Sequence, residues 1–138
     1  MRIKHEIYNK ILFSAKPSPY ESGGFLFGKT DLVNKVVFDS KNSHLGKYTP
    51  DTNLLNEYIT AHRERNTDFL GIYHTHYPSN KFLSAGDIKY IEKIFESVGD
   101  YYKTLYFPIV ILHEGMFIYK AQYINSNAII TSEDLTII

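Results

Sequence analysis

Three stretches of the chain carry apolar residues at the spacing of an amphipathic helix. The pattern predicts helices over about residues 4–15, 52–65 and 85–98, the second capped by Asp51 or Thr52 and the third ending near Gly99. The apolar stripes consist of Ile3, Ile7, Ile11 and Leu12; of Leu54, Leu55, Tyr58, Ile59 and His62; and of Ile88, Ile91, Ile94 and Phe95.

Other apolar runs are short and are typical of strands. The predicted strands are Gly24–Lys29, Lys35–Ser40, Phe69–His74, and a hairpin of 106–112 with 116–124 around His113-Glu114-Gly115. A turn is expected at 31–34 and a loop at 41–50, while 126–138 fits no pattern. Helices and strands therefore interleave without strict alternation, which predicts an α+β (mixed α/β) fold with a mixed sheet flanked by helices.

Composition narrows the class of protein. The 138 residues suit one domain over 1–138, and 43% hydrophobic with 15% aromatic residues can fill a core. The formal net charge is zero and the basic residues are scattered, so we expect neither a nucleic-acid nor a membrane partner. The chain has no cysteine, which excludes disulfides and cysteine-based zinc sites. Because the first residues lack the apolar stretch that a secretory signal needs, we expect a cytoplasmic protein.

The segment HTHYPSNKFLSAGD contains candidate metal ligands. Residues two apart on a strand point to the same side, so His74 and His76 present two imidazoles together, with Thr75 facing away. Asp87, in the first turn of the predicted third helix, is a candidate third ligand. Zinc binds imidazole nitrogen and carboxylate oxygen, and a catalytic zinc site uses three protein ligands and keeps one position open. This set therefore fits metal-assisted hydrolysis.

Metal-assisted hydrolysis also needs a base that takes a proton from water. Glu21 is the best candidate, because it stands just before Gly23-Gly24 at the start of the first predicted strand. Those glycines lack side chains, which allows backbone or substrate to come close.

Each feature by itself has an ordinary structural explanation. Ser84 and Asp87 are typical of a capping box, and Glu21 alone would be a surface carboxylate. A lone His-x-His pair is a weak signal. The other histidines, which are His5, His44, His62 and His113, match no metal spacing. His62 lies on a helical stripe and is expected to belong to the core or its boundary.

The combination is more specific. Glu21, then His74-Thr75-His76, then seven residues, then Ser84 and Asp87 resembles the JAMM motif of the JAB1/MPN/Mov34 metalloprotease family, in its prokaryotic single-domain form. The flanking texts ESGGFLFGK and FLGIYHTH resemble the strands that carry the motif in the family. The resemblance covers roughly residues 3 to 120. One position departs from it, since Tyr77 precedes Pro78 where the family usually has proline directly after the second histidine.

The resemblance implies an MPN-type domain that acts as a zinc-dependent isopeptidase or peptidase. His74, His76 and Asp87 would hold one zinc ion per chain. Glu21 would be the general base and then the general acid, and Ser84 would donate a hydrogen bond to the oxyanion. Substrate contacts are expected at Gly23, Gly24 and Tyr77, by position rather than by motif.

The substrate implied by the resemblance is a ubiquitin-like protein cleaved after its C-terminal glycine, with E1-like or E2-like proteins of the same operon as possible partners. Trimming of a sulfur-carrier protein, or a role in a phage-tail module, is the alternative. A non-catalytic scaffold is a further reading. A DNA-repair relative is disfavoured, because it carries His-Asn-His-Pro and an extra helical DNA-binding region. The sequence leaves the modifier, the bond type and the oligomeric state open.

Overall fold

The computed structural model describes residues 1–15, 20–39, 43–45 and 47–138. Its helices are α1 (His5–Ser14), α2 (Thr52–Glu64) and α3 (Ala85–Val98), and they confirm the three helices predicted from the apolar stripes. Two of them begin at a side-chain cap. The Asp51 carboxylate accepts a hydrogen bond from the Leu54 N–H at 3.1 Å, and Ser84 opens α3 with a capping box. Among the described residues, no helix is long and apolar enough to cross a membrane.

Twelve short strands complete the described part of the fold. They are β1 (Arg2–Ile3), β2 (Tyr20–Glu21), β3 (Gly23–Lys29), β4 (Leu32–Phe38), β5 (Ser43–Leu45), β6 (Lys47–Tyr48), β7 (Asp68–Thr75), β8 (Thr104–Tyr106), β9 (Ile109–Ile111), β10 (Gly115–Ile124), β11 (Asn127–Glu133) and β12 (Thr136–Ile137). A large mixed sheet runs in the order β11-β10-β8-β7-β3-β4-β1-β12, with β9 pairing with both β10 and β7. The strands β2, β5 and β6 form a separate small sheet. The mixed sheet with its helices confirms the predicted α+β class.

Several predicted strand limits are wrong. The second strand begins at Leu32 rather than Lys35, because the turn is confined to residues near Thr30, whose φ is +58°. The predicted strand 106–112 is divided between β8 and β9, since Pro108 between them has no N–H to give to a ladder.

Two other segments contain strands that the pattern did not predict. The predicted loop 41–50 contains β5 and β6, and residues 41, 42 and 46 of it, like Ser40 of the predicted second strand, lie outside the described residues. The tail that fitted no pattern forms β11 and β12. The first pairs with the adjacent β10 in a hairpin around residues 125 and 126, and the second pairs with β1, which lies at the other end of the sequence.

The core lies on both faces of the large sheet. One cluster places Ile7 and Ile11 of α1 against Leu26 and Tyr73 of the sheet. The other places α2 and α3 against the opposite face, where Phe25 and Ile72 lie. Adjacent residues of β3 and β7 thus alternate between the two faces, as strand geometry requires.

The buried side of α3 differs from the predicted stripe at its first position. Ile88 is 39% exposed, whereas the neighbouring Asp87 is only 8% exposed. The buried residues of α3 are Asp87, Ile91, Ile94, Phe95 and Val98. The helix is therefore turned so that a carboxylate, not an isoleucine, faces inward at its start.

Gly71 sits where β7 pairs with β8. Its φ is +153°, and a Cβ added there would lie 1.8 Å from the Tyr106 carbonyl oxygen. Both the backbone conformation and the space therefore require glycine at this position.

We predict that Gly71→Ala lowers the free energy of unfolding by more than about 2 kcal/mol, because the substitution adds both backbone strain and a clash with β8. Urea denaturation measures this. Gly86→Ala is the control, since its Cβ would meet nothing nearer than Ser84 Oγ at 3.7 Å and alanine favours the helix. Equal stability of the Gly71 variant and the native protein would contradict the account of this strand.

Candidate metal centre

The two histidines lie at the end of β7, held from both sides. On one side, His74 pairs in register with Gly23 of β3, and the Thr75 N–H donates to the Ser22 carbonyl at 2.8 Å. On the other side, the His74 and His76 N–H groups donate to the carbonyls of Pro108 and Val110 at 3.1 and 3.0 Å. The backbone that carries the imidazoles is therefore fixed by pairing on each edge.

The structure brings His74, His76 and Asp87 together. The two imidazole Nε2 atoms are 2.7 Å apart, and each lies 3.1 Å from one oxygen of the Asp87 carboxylate. All three residues are at least nine-tenths buried. Among the described residues, these three form the group of histidine and carboxylate side chains whose geometry could hold a metal ion.

The opposite ring nitrogens of the histidines have partners that orient the imidazoles. His76 Nδ1 lies 2.9 Å from the Asn80 carbonyl oxygen, which can only accept, so this nitrogen carries a proton, and whenever the imidazole is neutral its Nε2 lone pair faces the cluster. His74 Nδ1 lies 3.1 Å from the Tyr90 hydroxyl. Such partners fix ring orientation and tautomer at metal sites.

The donor set fits zinc. Ligand atoms bound tetrahedrally at about 2.0–2.1 Å lie about 3.3 Å from one another. The observed separations of 2.7 and 3.1 Å need only a small opening of the cluster to match this spacing. Two imidazoles and one carboxylate also leave a fourth position free of protein ligands, as in catalytic zinc sites.

Asp87 is held ionised and in place. Burial alone would raise the pKa of its carboxyl, but the hydrogen bonds from His74 and His76 outweigh this effect and hold the pKa well below its usual range. Its Oδ2 accepts from the Ser84 N–H at 2.8 Å, and its own N–H donates to Ser84 Oγ at 3.1 Å. The capping box thus aims this carboxylate at the histidines.

Glu21 lies at the end of β2, directly before the residue that pairs with Thr75. It lines a cavity of 380 Å³ together with His76, Ser84 and Asp87. Partial burial raises the pKa of the Glu21 carboxyl, an effect opposed by the two histidines and by a hydrogen bond from the Tyr48 backbone and increased by Asp87. A carboxylate whose pKa is raised and which lines a cavity is better suited to proton exchange there than an ordinary surface carboxylate.

The structure also places the remaining residues named from the sequence. Tyr77 is 42% exposed and lines the cavity. Gly23 and Gly24 do not line it, and the close approach at Gly23 is made by the Tyr48 ring, which would lie 2.5 Å from an added Cβ. Thr75 is 3% exposed, and its Oγ1 accepts from the Ser22 N–H at 2.9 Å.

The other histidines stand apart from the cluster. His62 is 2% exposed, its ring stacks on Phe27 at 3.9 Å, and its Nδ1 lies 2.8 Å from the Tyr58 carbonyl oxygen. The predicted core role of His62 is therefore confirmed. His5 and His113 are exposed, and the side chain of His44 lies outside the described residues.

Sequence reasoning missed Tyr48, Asn80 and Tyr90. Tyr90 comes three residues after Asp87 on α3, a spacing that shares a helix face and could have identified it. The other two carried no such signal, because Asn80 acts through its backbone carbonyl and Tyr48 belongs to a segment predicted as loop.

We predict that His76→Ala abolishes stoichiometric binding of Zn²⁺ and that Tyr90→Phe raises the Kd about tenfold, because the second variant removes only a partner of a ligand. Isothermal titration with Zn²⁺ in the presence of a competing chelator measures both. His5→Ala, which changes an exposed histidine of α1, should bind like the native chain. Undiminished binding by the His76 variant would remove that residue from the ligand set.

Comparison with solved structures identifies the fold. Proteins from Desulfitobacterium hafniense and Salinibacter ruber match with TM-scores of 0.67 and 0.55, at 17% and 18% identity, covering 99% of this chain in both cases and 92% and 90% of theirs. A JAB1/MPN domain protein from Archaeoglobus fulgidus matches with a TM-score of 0.60 at 17% identity, over 100% of this chain and 97% of its own.

Sequence comparison gives the family. No match is found among curated proteins. The model that describes prokaryotic homologues of the JAB domain matches residues 6–122, a span that contains the cluster, the residues that line the cavity, α2, α3 and all of α1 but its first residue. Family match and shared fold agree with the resemblance seen in the motif, and the chain belongs to the prokaryotic JAB domain family.

Proposed function

We propose that this chain is a zinc-dependent peptidase or isopeptidase that cleaves after the C-terminal glycine of a ubiquitin-like protein, in deconjugation or maturation. The observation that carries the proposal is that residues distant in the sequence meet at one cavity. Glu21, His76, Ser84 and Asp87 line one cavity although up to 66 residues separate them in the sequence, and the His74 imidazole contacts that of His76. A purely structural metal site would not need the carboxylate of Glu21 at its open side.

A zinc ion held by His74, His76 and Asp87 would supply a Lewis acid that polarises a carbonyl and makes water more acidic. The chain's own contribution is to hold three ligands on rigid elements, two at the end of β7 and one in the first turn of α3. Because all three are buried and oriented by neighbouring groups, little reorganisation would accompany the reaction.

Glu21 would take a proton from the attacking water and later give it to the leaving amine. The raised pKa of its carboxyl favours this double role, because a group that titrates closer to the working pH can both accept and return a proton. Its position at the cavity, across from Asp87 and Ser84, supports the assignment.

Ser84 would donate a hydrogen bond to the oxyanion that forms on the cleaved carbonyl. Its Oγ already accepts from the Asp87 N–H at 3.1 Å, and this leaves the hydroxyl proton for another acceptor. Capping of α3 and stabilisation of the oxyanion are therefore compatible at one hydroxyl.

The cavity favours a slender chain end as substrate. Tyrosines contribute to its walls at positions 48, 77 and 90, and an extended tail ending in glycine presents no side chain to them. The family resemblance supplies the choice of a ubiquitin-like protein, with E1-like or E2-like partners where the gene neighbourhood encodes them. The expectation of neither a nucleic-acid nor a membrane partner, and that of a cytoplasmic location, remain predictions.

Trimming of a sulfur-carrier protein would use the same chemistry on a similar tail, so we retain it as the alternative, with a phage-tail peptidase as a variant of it. A non-catalytic scaffold is disfavoured, because the chain keeps the ligands and a carboxylate beside them. Substrate choice separates the first two, since a conjugate to a lysine side chain and a linear fusion can be tested side by side.

We predict that Glu21→Ala and Glu21→Gln retain zinc and the fold but cleave at least about 100-fold more slowly, because proton transfer is lost. The substrate is a fusion in which a glycine-ended β-grasp protein from the gene neighbourhood precedes a reporter protein, and gel-based cleavage rates are compared.

The control for these variants is Glu57→Gln on the exposed side of α2, which should cleave at the native rate. Native-rate cleavage by the Glu21→Ala protein with zinc confirmed bound would refute the mechanism.

We predict that Ser84→Ala and Ser84→Gly reduce the cleavage rate alike, by about 10²–10³-fold, because each removes the donor. Their stabilities should differ, since alanine at an N-cap costs about 1 kcal/mol and glycine only a few tenths. Urea denaturation and cleavage rates measured together separate the two roles. A rate loss that follows stability instead would mean that Ser84 acts only as a cap.

A further inference from the structure

A buried carboxylate outside the motif is bonded to Tyr48, a residue that lines the cavity together with the candidate base. Asp39 follows β4 and is fully buried. Its Oδ2 accepts from the Tyr48 hydroxyl and from the Asp51 N–H, both at 3.0 Å, and its own N–H donates to the Gly23 carbonyl at 3.0 Å. A charge taken out of water is costly unless it is hydrogen-bonded. The groups that bond to Asp39 are therefore strongly held.

Tyr48 connects this carboxylate to the candidate site in two ways. Its ring stacks on the His74 ring, with centroids 6.2 Å apart and planes 16° apart. Its backbone lies near the Glu21 carboxyl, where it lowers the pKa of that group, and both residues line the same cavity. Tyr48 thus stacks on a candidate metal ligand and lies beside the candidate base, while its hydroxyl donates to Asp39.

The space for the Tyr48 ring depends on a glycine. A Cβ at position 23 would lie 2.5 Å from the ring and 2.6 Å from the Tyr73 carbonyl oxygen. Gly23, two residues after Glu21, therefore leaves the room that the Tyr48 ring occupies. This gives a physical reason for a glycine that does not line the cavity.

We propose that Asp39 and Tyr48 are positioning residues for Glu21. The Asp39 carboxylate fixes the Tyr48 phenol, the phenol fixes the backbone of β6, and the N–H of that backbone aims the Glu21 carboxylate into the cavity. The proposal rests on the proposed function only where it names Glu21 as the base, because the positioning itself can be measured without turnover.

A merely structural role makes a different prediction. Asp39 also bonds the first residue before α2, so its loss could simply lower global stability. In that case every protected amide would exchange faster in proportion. A positioning role instead loosens the amide of residue 48 beyond the change seen in the core.

The experiment is amide hydrogen exchange by NMR on the full chain with zinc present. In Tyr48→Phe the ring is kept and only the hydroxyl is lost, and the amide of residue 48 should exchange about tenfold faster or more relative to the core amides of Phe25 and Ile72. Glu21→Ala should speed the Tyr48 amide as well, because that substitution removes the acceptor. Tyr102→Phe, which changes a ring packed edge-on against Phe69, should leave it unchanged.

Two substitutions of Asp39 form a matched pair of variants. Asp39→Ala should behave like Tyr48→Phe, whereas Asp39→Asn should restore much of the protection, because its amide oxygen can still accept from the phenol. If the fusion is cleaved, Tyr48→Phe should lower kcat about tenfold and leave KM within about twofold, as expected for a misplaced base.

The two hypotheses fail in different ways. A native chain that binds zinc but cleaves no fusion counts against the proposed function and leaves the exchange result to decide the positioning. An unchanged relative exchange rate at residue 48 in Tyr48→Phe overturns the positioning proposal, even in a fully active enzyme.

Discussion

The pairing of β3 with β7 is the constraint on which the candidate site depends. It sets Gly23 opposite His74 and continues beyond the sheet, where Ser22 and Thr75 exchange hydrogen bonds at 2.8 and 2.9 Å. Glu21 is the next residue, so the carboxylate is delivered to the histidines by backbone geometry. Because this one strand pairing fixes the distance between the candidate base and the candidate ligands, they cannot separate unless the core pairing is lost. Thr75, which separates the two histidines, thereby joins the two halves of the site.

A second constraint comes from α3. Its capping box places a carboxylate where the helix pattern would place an apolar residue, and the helix accordingly turns Asp87 inward and Ile88 outward. Burying a carboxylate is favourable here only because His74 and His76 pair with it. The capping box that begins α3 is therefore also part of the candidate metal site. Ser84 belongs to both, since the same hydroxyl begins the helix and lines the cavity.

The sequence was informative where the signal is local. Helix stripes and caps predicted all three helices, and residue spacing indicated the three candidate ligands that the structure brings together, because strand and helix geometry act over a few residues. Features that depend on distant pairing were not predictable. The strands β5 and β12 have no strong pattern of their own and pair with β2 and β1, and the inward turn of Asp87 reflects the histidines of another element. Tyr48 and Asp39 were not predicted for the same reason, since only the folded chain places Tyr48 in the cavity with Glu21 and bonds it to Asp39. The family resemblance supported Glu21 as the candidate general base, a role that residue spacing alone left open.

The central claim is that the end of β7 carries a metal site of the catalytic type. Anomalous diffraction at the zinc edge, from crystals grown with one equivalent of Zn²⁺, tests this most directly. The account predicts one zinc ion per chain, bonded at about 2.0–2.2 Å to His74, His76 and Asp87, with its fourth position facing the Glu21 carboxylate and free of protein ligands. Zinc at another place, or a fourth protein side chain closing the coordination, would contradict it.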